Sequence, residues 1–138
     1  FSWSAPSHIL NEKYKVDSVL DLQDVSNLIV DASQSIGQTV QEKMGGRRVV
    51  DSISSLLVNF DLASVQKFVT HIARTSFAFG GVTTLFVLEE GTVSEQLLNN
   101  ITYLMDGVLE MKKAPQNKSS CRIVNMKWVP FDPSWVTF

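Results

Sequence analysis

The sequence predicts an α/β fold: a mainly parallel, three-layer sheet with an antiparallel hairpin at its C-terminal edge. Segments with apolar residues on one helical face alternate with short apolar segments typical of strands. The segment 82–88 is β-branched and almost wholly apolar, as in strands covered on both faces. Near the C-terminus, a polar loop joins two strand-like segments, a pattern typical of a hairpin.

The composition is that of one globular domain. Of 138 residues, 44% are hydrophobic and 19% are charged, which allows the chain to bury a core. The formal net charge of −2 does not support nucleic-acid binding, which usually needs a basic surplus. No apolar run approaches the ~20 residues of a membrane span, so no membrane contact is expected. The single cysteine, Cys121, excludes an intramolecular disulfide and fits a reducing, cytoplasmic compartment.

The first predicted helix begins at Asp21, a residue type that favours the N-cap position. Its apolar residues follow a helical spacing up to Gly45 and Gly46, which would end the helix. A short strand then leads into Asp51. The segment 52–61 is compatible with a continued strand, a loop or a short helical turn.

The alternation continues towards the C-terminus. Asp61 is expected to cap the next helix, which ends near Phe79 and buries a stripe of apolar residues: Leu62, Val65, Phe68, Val69 and Ile72. The remaining predicted elements are, in order, the strand 82–88, a helix at 93–104 and strands at 108–111, 121–128 and 135–138.

These elements predict one partial domain over 1–138, with its core at 21–111 and the hairpin at 112–138. Because the sequence begins at Phe1 without a methionine, we expect a piece of a longer protein or a processed form.

Carboxylates at predicted strand ends form the candidate site. Asp51 and Ser52 directly follow one strand, and Glu89 follows the next. Ligands bind at the carboxyl ends of parallel strands, and in a nucleotide-binding protein a carboxylate there would hold Mg²⁺, directly or through water, beside the phosphates. The structural alternative is that Asp51 and Ser52 cap the following turn or helix. Glu89 and Glu90 would then be ordinary loop charges.

Other kinds of site have little support. His8, His71 and Cys121 lack the close spacing of zinc ligands. The sequence contains no G-x-S-x-G nucleophile elbow, no G-x-G-x-x-G and no phosphate-binding G-x-x-x-x-G-K-S/T. Arg122 and Lys127 alternate with apolar residues on an edge strand, which is typical of a solvated face.

Four segments occur in the order found in the KaiC/RadA-like group of RecA-superfamily ATPases, a group common in archaea. The segment 48–57 resembles the Walker B region of that group. The other three are similar to its next core strand, its D-G-V strand and its R-I-x-K-M-R-G hairpin: 81–89, 106–111 and 122–127. With weaker likeness at 1–4 and 135–138, the resemblance covers nearly the whole chain.

This resemblance implies a RecA-like core that binds Mg·ATP between the subunits of a ring. Asp51 would be the Walker B carboxylate on Mg²⁺, with Ser52 as its neighbour in that motif. Glu89 is a candidate only through its position at a strand end, where with Asp51 it could bind the cation of a bound nucleotide or act as acid or base. Asn125 and Lys127 would occupy the positions where the family uses Lys and Arg to reach the γ-phosphate of an adjoining subunit. The implied partner is a further copy of the chain or another protein.

The chain also departs from the family pattern. The P-loop and catalytic glutamates of the family precede the point where this sequence begins. Arg47 and Arg48 stand where the family has apolar residues, Asn125 replaces a basic residue, and Trp128 replaces a glycine. We therefore expect an ATPase-like domain of a regulatory or signalling protein that is inactive as this chain alone. The alternatives are a degenerate RecA-like assembly domain that binds partners and no nucleotide, and an unrelated small α/β binding domain.

Overall fold

The computed structural model describes residues 21–39, 46–78 and 81–138. The elements are, in chain order, α1 (Leu22–Thr39), β1 (Arg47–Val50), α2 (Ile53–Asn59), α3 (Leu62–Ala78), β2 (Thr83–Phe86), α4 (Glu95–Leu104), β3 (Gly107–Lys113), β4 (Ser119–Met126) and β5 (Val136–Thr137). They fall into two compact units, Phe1–Leu88 and Glu89–Phe138. The predicted helix ends at Gly45 and near Phe79 lie outside the described residues.

In the first unit, β1 and β2 form a two-stranded parallel sheet. Arg47 lies opposite Thr83, and the register continues to Val50 opposite Phe86. The predicted parallel pairing of strands is confirmed for these two.

One face of this parallel pair packs inside the unit and the other is exposed. Arg48 is half-buried on the inner face and donates hydrogen bonds to serines of α1 and α3. On the outer face, Val49 is 62% exposed and Leu85 is 52% exposed. The prediction that the strand 82–88 is covered on both faces is therefore wrong within the described residues. Burial on both faces requires cover on both faces, and among the described residues α3 packs against β2 while the outer face carries the exposed Val49 and Leu85.

The core of the first unit lies around α3. This helix packs against α1, α2 and β2. Among the described residues of the unit, the buried apolar side chains are Leu22, Ile53, Val65, Phe68, Val69 and Ile72. Four of them lie on α3 at the helical spacing that predicted its buried face. The prediction was wrong for Leu62, the first residue of the helix, which is 41% exposed.

Both predicted aspartate caps are present. The Asp21 carboxylate accepts a hydrogen bond from the Gln23 backbone N–H at 3.0 Å, just before α1. Asp61 accepts from the backbone N–H and the hydroxyl of Ser64, at 3.0 and 2.7 Å. These bonds hold the pKa of the Asp61 carboxyl below its usual value. The segment 52–61, which the sequence left open, contains the helix α2.

In the second unit, β3, β4 and β5 form an antiparallel sheet in that order. β3 pairs with β4 from Gly107 opposite Met126 to Lys113 opposite Ser119. The predicted hairpin is therefore present, but the expected boundary between core and hairpin at 111–112 falls inside β3. The strand continues into Lys112 and Lys113 because lysines are well tolerated on an exposed sheet edge.

The end of β4 also differs from the prediction, which continued the strand to Trp128. Trp128 has a φ of +70°, a left-handed conformation that cannot continue a strand. β5 closes the sheet, and beyond it Phe138 and Ser119 exchange two backbone hydrogen bonds of 2.8 and 3.0 Å. Within the three described ranges, no helix is long and apolar enough to cross a membrane.

Candidate functional site

The link between β1 and α2 places Asp51 at the carboxyl end of the parallel pair. Its side chain is exposed, and its carboxylate accepts no hydrogen bond from the residues that the structure describes. The Asp51–Ser52 peptide bond is cis. An exposed carboxylate without a protein partner at this edge is available to a cation from solution.

Backbone hydrogen bonds fix the chain on both sides of Asp51. The Val87 N–H donates to the Val50 carbonyl at 3.0 Å, and the Ile53 N–H donates to the Val87 carbonyl at 2.8 Å. The parallel ladder therefore continues past the last residue of each strand. Asp51 projects from a backbone that the neighbouring strand holds in place.

Ser52 is buried and caps α2. Its Oγ accepts a hydrogen bond from the Ser55 backbone N–H at 3.2 Å and lies 2.9 Å from the Ser55 Oγ. The capping role that the sequence offered as an alternative is thus observed for Ser52. The role of Ser52 in nucleotide binding stays a prediction.

Replacing Ser52 with alanine is expected to lower the free energy of unfolding by about 1 kcal/mol, because the Ser55 N–H loses its acceptor. Urea denaturation followed by circular dichroism measures this change. Ser55→Ala is the matched control, since it removes the hydroxyl that contacts Ser52 Oγ but leaves Ser52 as the acceptor for the backbone N–H of residue 55. This substitution should lower the free energy of unfolding by less than about 0.5 kcal/mol. Equal losses in the two variants would contradict the capping role.

The other predicted site residues belong to the second unit. Glu89 is exposed and begins a turn in which its carbonyl accepts a hydrogen bond from the Thr92 hydroxyl at 2.6 Å. Glu90 is also exposed, as expected for a loop charge. The pairing of Glu89 with Asp51 stays a prediction.

Lys127 has a structural partner. Its Nζ donates a hydrogen bond to the Tyr103 carbonyl at 2.8 Å and lies 5.5 Å from the centroid of the Tyr103 ring. A cation is favourable there because the carbonyl dipoles of α4 point to its C-terminal end. Asn125 lies two residues earlier, is exposed and is paired in register with Val108. Action of either residue on a neighbouring subunit stays a prediction.

Over residues 21–39, 46–78 and 81–138, no group of three or more His, Cys, Asp or Glu side chains is placed to hold a metal ion. Within the same ranges, the buried Nε2 of His71 has no hydrogen-bond partner. A magnesium ion at Asp51 would rely on one protein carboxylate. This donor set suits Mg²⁺, which commonly takes one or two carboxylates and completes its shell with water and phosphate oxygens.

The structure also brings together a cluster of charged and aromatic side chains whose proximity the sequence did not indicate. On one face of the antiparallel sheet, Arg122 forms an ion pair with Glu110 at 2.6 Å. The Lys112 Nζ and the Arg122 Cζ lie 3.8 and 4.8 Å from the centroid of the Trp135 ring. In the sequence, the alternation of charged residues along β3 and β4 does indicate that one face of this sheet is charged. Only the strand register, however, brings Trp135 to it.

The parallel pair with its packed helices and the antiparallel sheet make this a mixed α/β structure, which is consistent with a RecA-like fold. In particular, the chain is similar in structure to a KaiC-like protein of the hyperthermophilic archaeon Pyrococcus horikoshii, with a TM-score of 0.62 and 17% sequence identity. The similarity covers 88% of this chain and 54% of that protein, so the chain spans about half its length. The sequence matches no protein-family model and no curated protein.

Proposed function

We propose that this chain is part of an ATP-binding, KaiC-like domain in a regulatory or signalling protein, and that Asp51 supplies its Walker B carboxylate. The observation that carries the proposal is the exposed Asp51 carboxylate, held at the carboxyl end of a parallel strand pair. The likeness in fold to a KaiC-like protein supports the same assignment.

In this proposal Asp51 binds Mg²⁺, directly or through water, and the Ser52 cap keeps the Asp51 backbone in place. The bound ion would neutralise charge on the nucleotide phosphates. Lys127 would exchange its hydrogen bond with Tyr103 for contact with a nucleotide on an adjoining subunit, and Asn125 would lie beside it. Phosphoryl transfer needs a phosphate-binding loop, a metal and cations acting together. The chain alone is therefore expected to bind nucleotide without turning it over.

The second candidate function is an assembly domain that binds a partner protein and no nucleotide. The exposed outer face of the parallel pair, with Val49 and Leu85, favours it, because contiguous apolar surface of this kind commonly marks a contact with another layer or chain. A two-stranded sheet is also marginal by itself and gains stability from further strands.

Calorimetric titration with Mg·ATP tests the first function. The chain is expected to bind saturably, and Asp51→Ala is expected to weaken binding by roughly tenfold or more, because a metal ligand is lost. The matched control is Asp31→Ala, which removes an exposed carboxylate from α1 and should bind as the original chain does. Omission of Mg²⁺ should abolish the difference between the chain and Asp51→Ala.

Two results would count against the proposal. Equal affinity of Asp51→Ala and the original chain in Mg·ATP would remove Asp51 from the site. Absence of any nucleotide binding, together with a dimer or larger assembly in light scattering, would favour the assembly domain.

A further inference from the structure

The antiparallel sheet of the second unit has two chemically different faces. One face carries the Glu110–Arg122 ion pair and the Trp135 ring. Because alternate residues of a strand share a face, the strand register defines the opposite face, which we call the apolar face. It consists of three rows of paired residues, in order along the sheet: Leu109 and Ile123; Met111, Cys121 and Val136; Lys113, Ser119 and Phe138.

The apolar face is largely open to solvent. Four of its side chains are between 59% and 65% exposed: Leu109, Met111, Val136 and Phe138. On the charged face, by contrast, Glu110, Arg122 and Trp135 are half-buried. When one face of an antiparallel sheet is covered, that face is commonly the apolar one, so this sheet has the reverse arrangement. A contiguous exposed apolar surface of this kind marks a site of contact with another molecule.

The apolar face carries almost no charge. Within the described residues 81–138, Lys113 at one corner is the only charged side chain on it. A polyanion or a charged peptide would therefore find a single ammonium group there. A flat apolar sheet face is instead complementary to another surface of the same kind, and two such faces pack about 10 Å apart with interdigitating side chains.

We propose that two copies of this chain associate through their apolar faces, as the two sheets of a β-sandwich do. The two-fold axis would lie between the sheets and run across the strands at the middle row. Met111 of one copy would then lie opposite Met111 of the other, and Cys121 opposite Cys121. The two Lys113 side chains would lie at opposite ends of the interface, where their stems cover apolar surface and their ammonium groups reach water.

The size of the face is sufficient for a stable pair. With roughly 100 Å² for each exposed apolar side chain, the contact would bury about 600 Å² per copy, or about 1,200 Å² in total. Specific interfaces begin at about this size, so we expect association at micromolar concentrations. The contact uses the same surface on both copies and closes at two, unlike the successive contacts of a ring. It involves no residue of the Asp51 site and is independent of nucleotide binding.

The test is the mass of the full chain in light scattering between about 1 and about 100 μM, where it should rise from one copy to two. Met111→Glu and Met111→Lys each place like charges across the middle row, so each should weaken association by roughly hundredfold. An equimolar mixture of the two variants should associate again, because the facing charges are then opposite. This recovery also shows that both variants are folded.

Leu85→Glu is the matched control, since it places the same charge on the exposed outer face of the parallel pair in the first unit. It should associate as the original chain does. A bismaleimide with a spacer of about 10 Å should join two copies through Cys121, the single cysteine, and should fail to do so in Met111→Glu.

Three results would overturn the proposal. The first is a chain that remains a single copy at about 100 μM. The second is equal or greater weakening of association by Leu85→Glu than by Met111→Glu, because the contact would then not depend on the apolar face. The third is a mixture of Met111→Glu and Met111→Lys that stays dissociated, because the two side chains would then not face each other.

Discussion

Replacing Ile72 with alanine is expected to lower the free energy of unfolding by about 3 to 4 kcal/mol. Ile72 lies on α3 with 0% of its surface exposed. The substitution removes apolar contacts and leaves a cavity that its neighbours fill only in part. Since six apolar side chains of the described first unit are buried, this loss is a large fraction of what the core contributes. The midpoint and slope of urea denaturation, followed by circular dichroism, measure the change.

The matched control for Ile72→Ala is Val58→Ala on α2. Val58 is 83% exposed, so its truncation should change the free energy of unfolding by less than about 0.5 kcal/mol. A loss below about 1 kcal/mol in Ile72→Ala would contradict the burial of this side chain in a packed core.

Replacing Arg48 with alanine is expected to lower the free energy of unfolding by about 2 kcal/mol. Arg48→Met should have a free energy of unfolding within about 1 kcal/mol of that of the original chain. The guanidinium donates hydrogen bonds to the Ser33 and Ser76 hydroxyls, at 2.7 and 3.2 Å. Burial lowers the pKa of Arg48, and no carboxylate among the described residues pairs with it. Methionine keeps the packing of the aliphatic stem and removes the cost of holding a charge away from water.

The neighbouring arginine provides the control. Arg47 is exposed at the adjacent position of β1, so Arg47→Ala should be nearly neutral in the same denaturation experiment. If Arg48→Met lost as much stability as Arg48→Ala, the hydrogen bonds to the two serines would outweigh the packing of the stem. Arg48 would then stabilise the unit through its guanidinium rather than through its aliphatic carbons.

The same arginine shows the limit of sequence analysis for the strands. Arg48 departs from the apolar pattern of a buried strand, yet it occupies the inner face of β1. Two serines, separated from it by 15 and 28 residues in the chain, provide its hydrogen-bond acceptors. Such long-range partners leave no periodic pattern in a sequence. In β2, likewise, apolar composition predicted cover on both faces, but composition does not reveal whether a second layer of helices is present.

Local chemistry accounts for the successful predictions. Asp21 and Asp61 are N-caps because their carboxylates accept hydrogen bonds from N–H groups two or three residues ahead, a contact within one helical turn. The buried stripe of α3 follows from helical spacing alone. Asp51 was predicted at a strand end for the same reason: an apolar segment that stops at Asp-Ser is a local pattern. Its exposure, and the absence of a hydrogen-bond partner for its carboxylate among the described residues, were not predictable from that pattern.

By itself, therefore, the sequence determined the helices α1, α3 and α4, the two aspartate caps, the hairpin and the position of Asp51 after β1, since each depends on residues close together in the chain. The tertiary structure decided which sheet faces are covered, that Lys127 lies against α4, and that Trp135 joins Lys112 and Arg122. Each of these depends on contacts between distant residues. The choice of packing partners among elements far apart in the chain sets such contacts, and the spacing of neighbouring residues does not specify it.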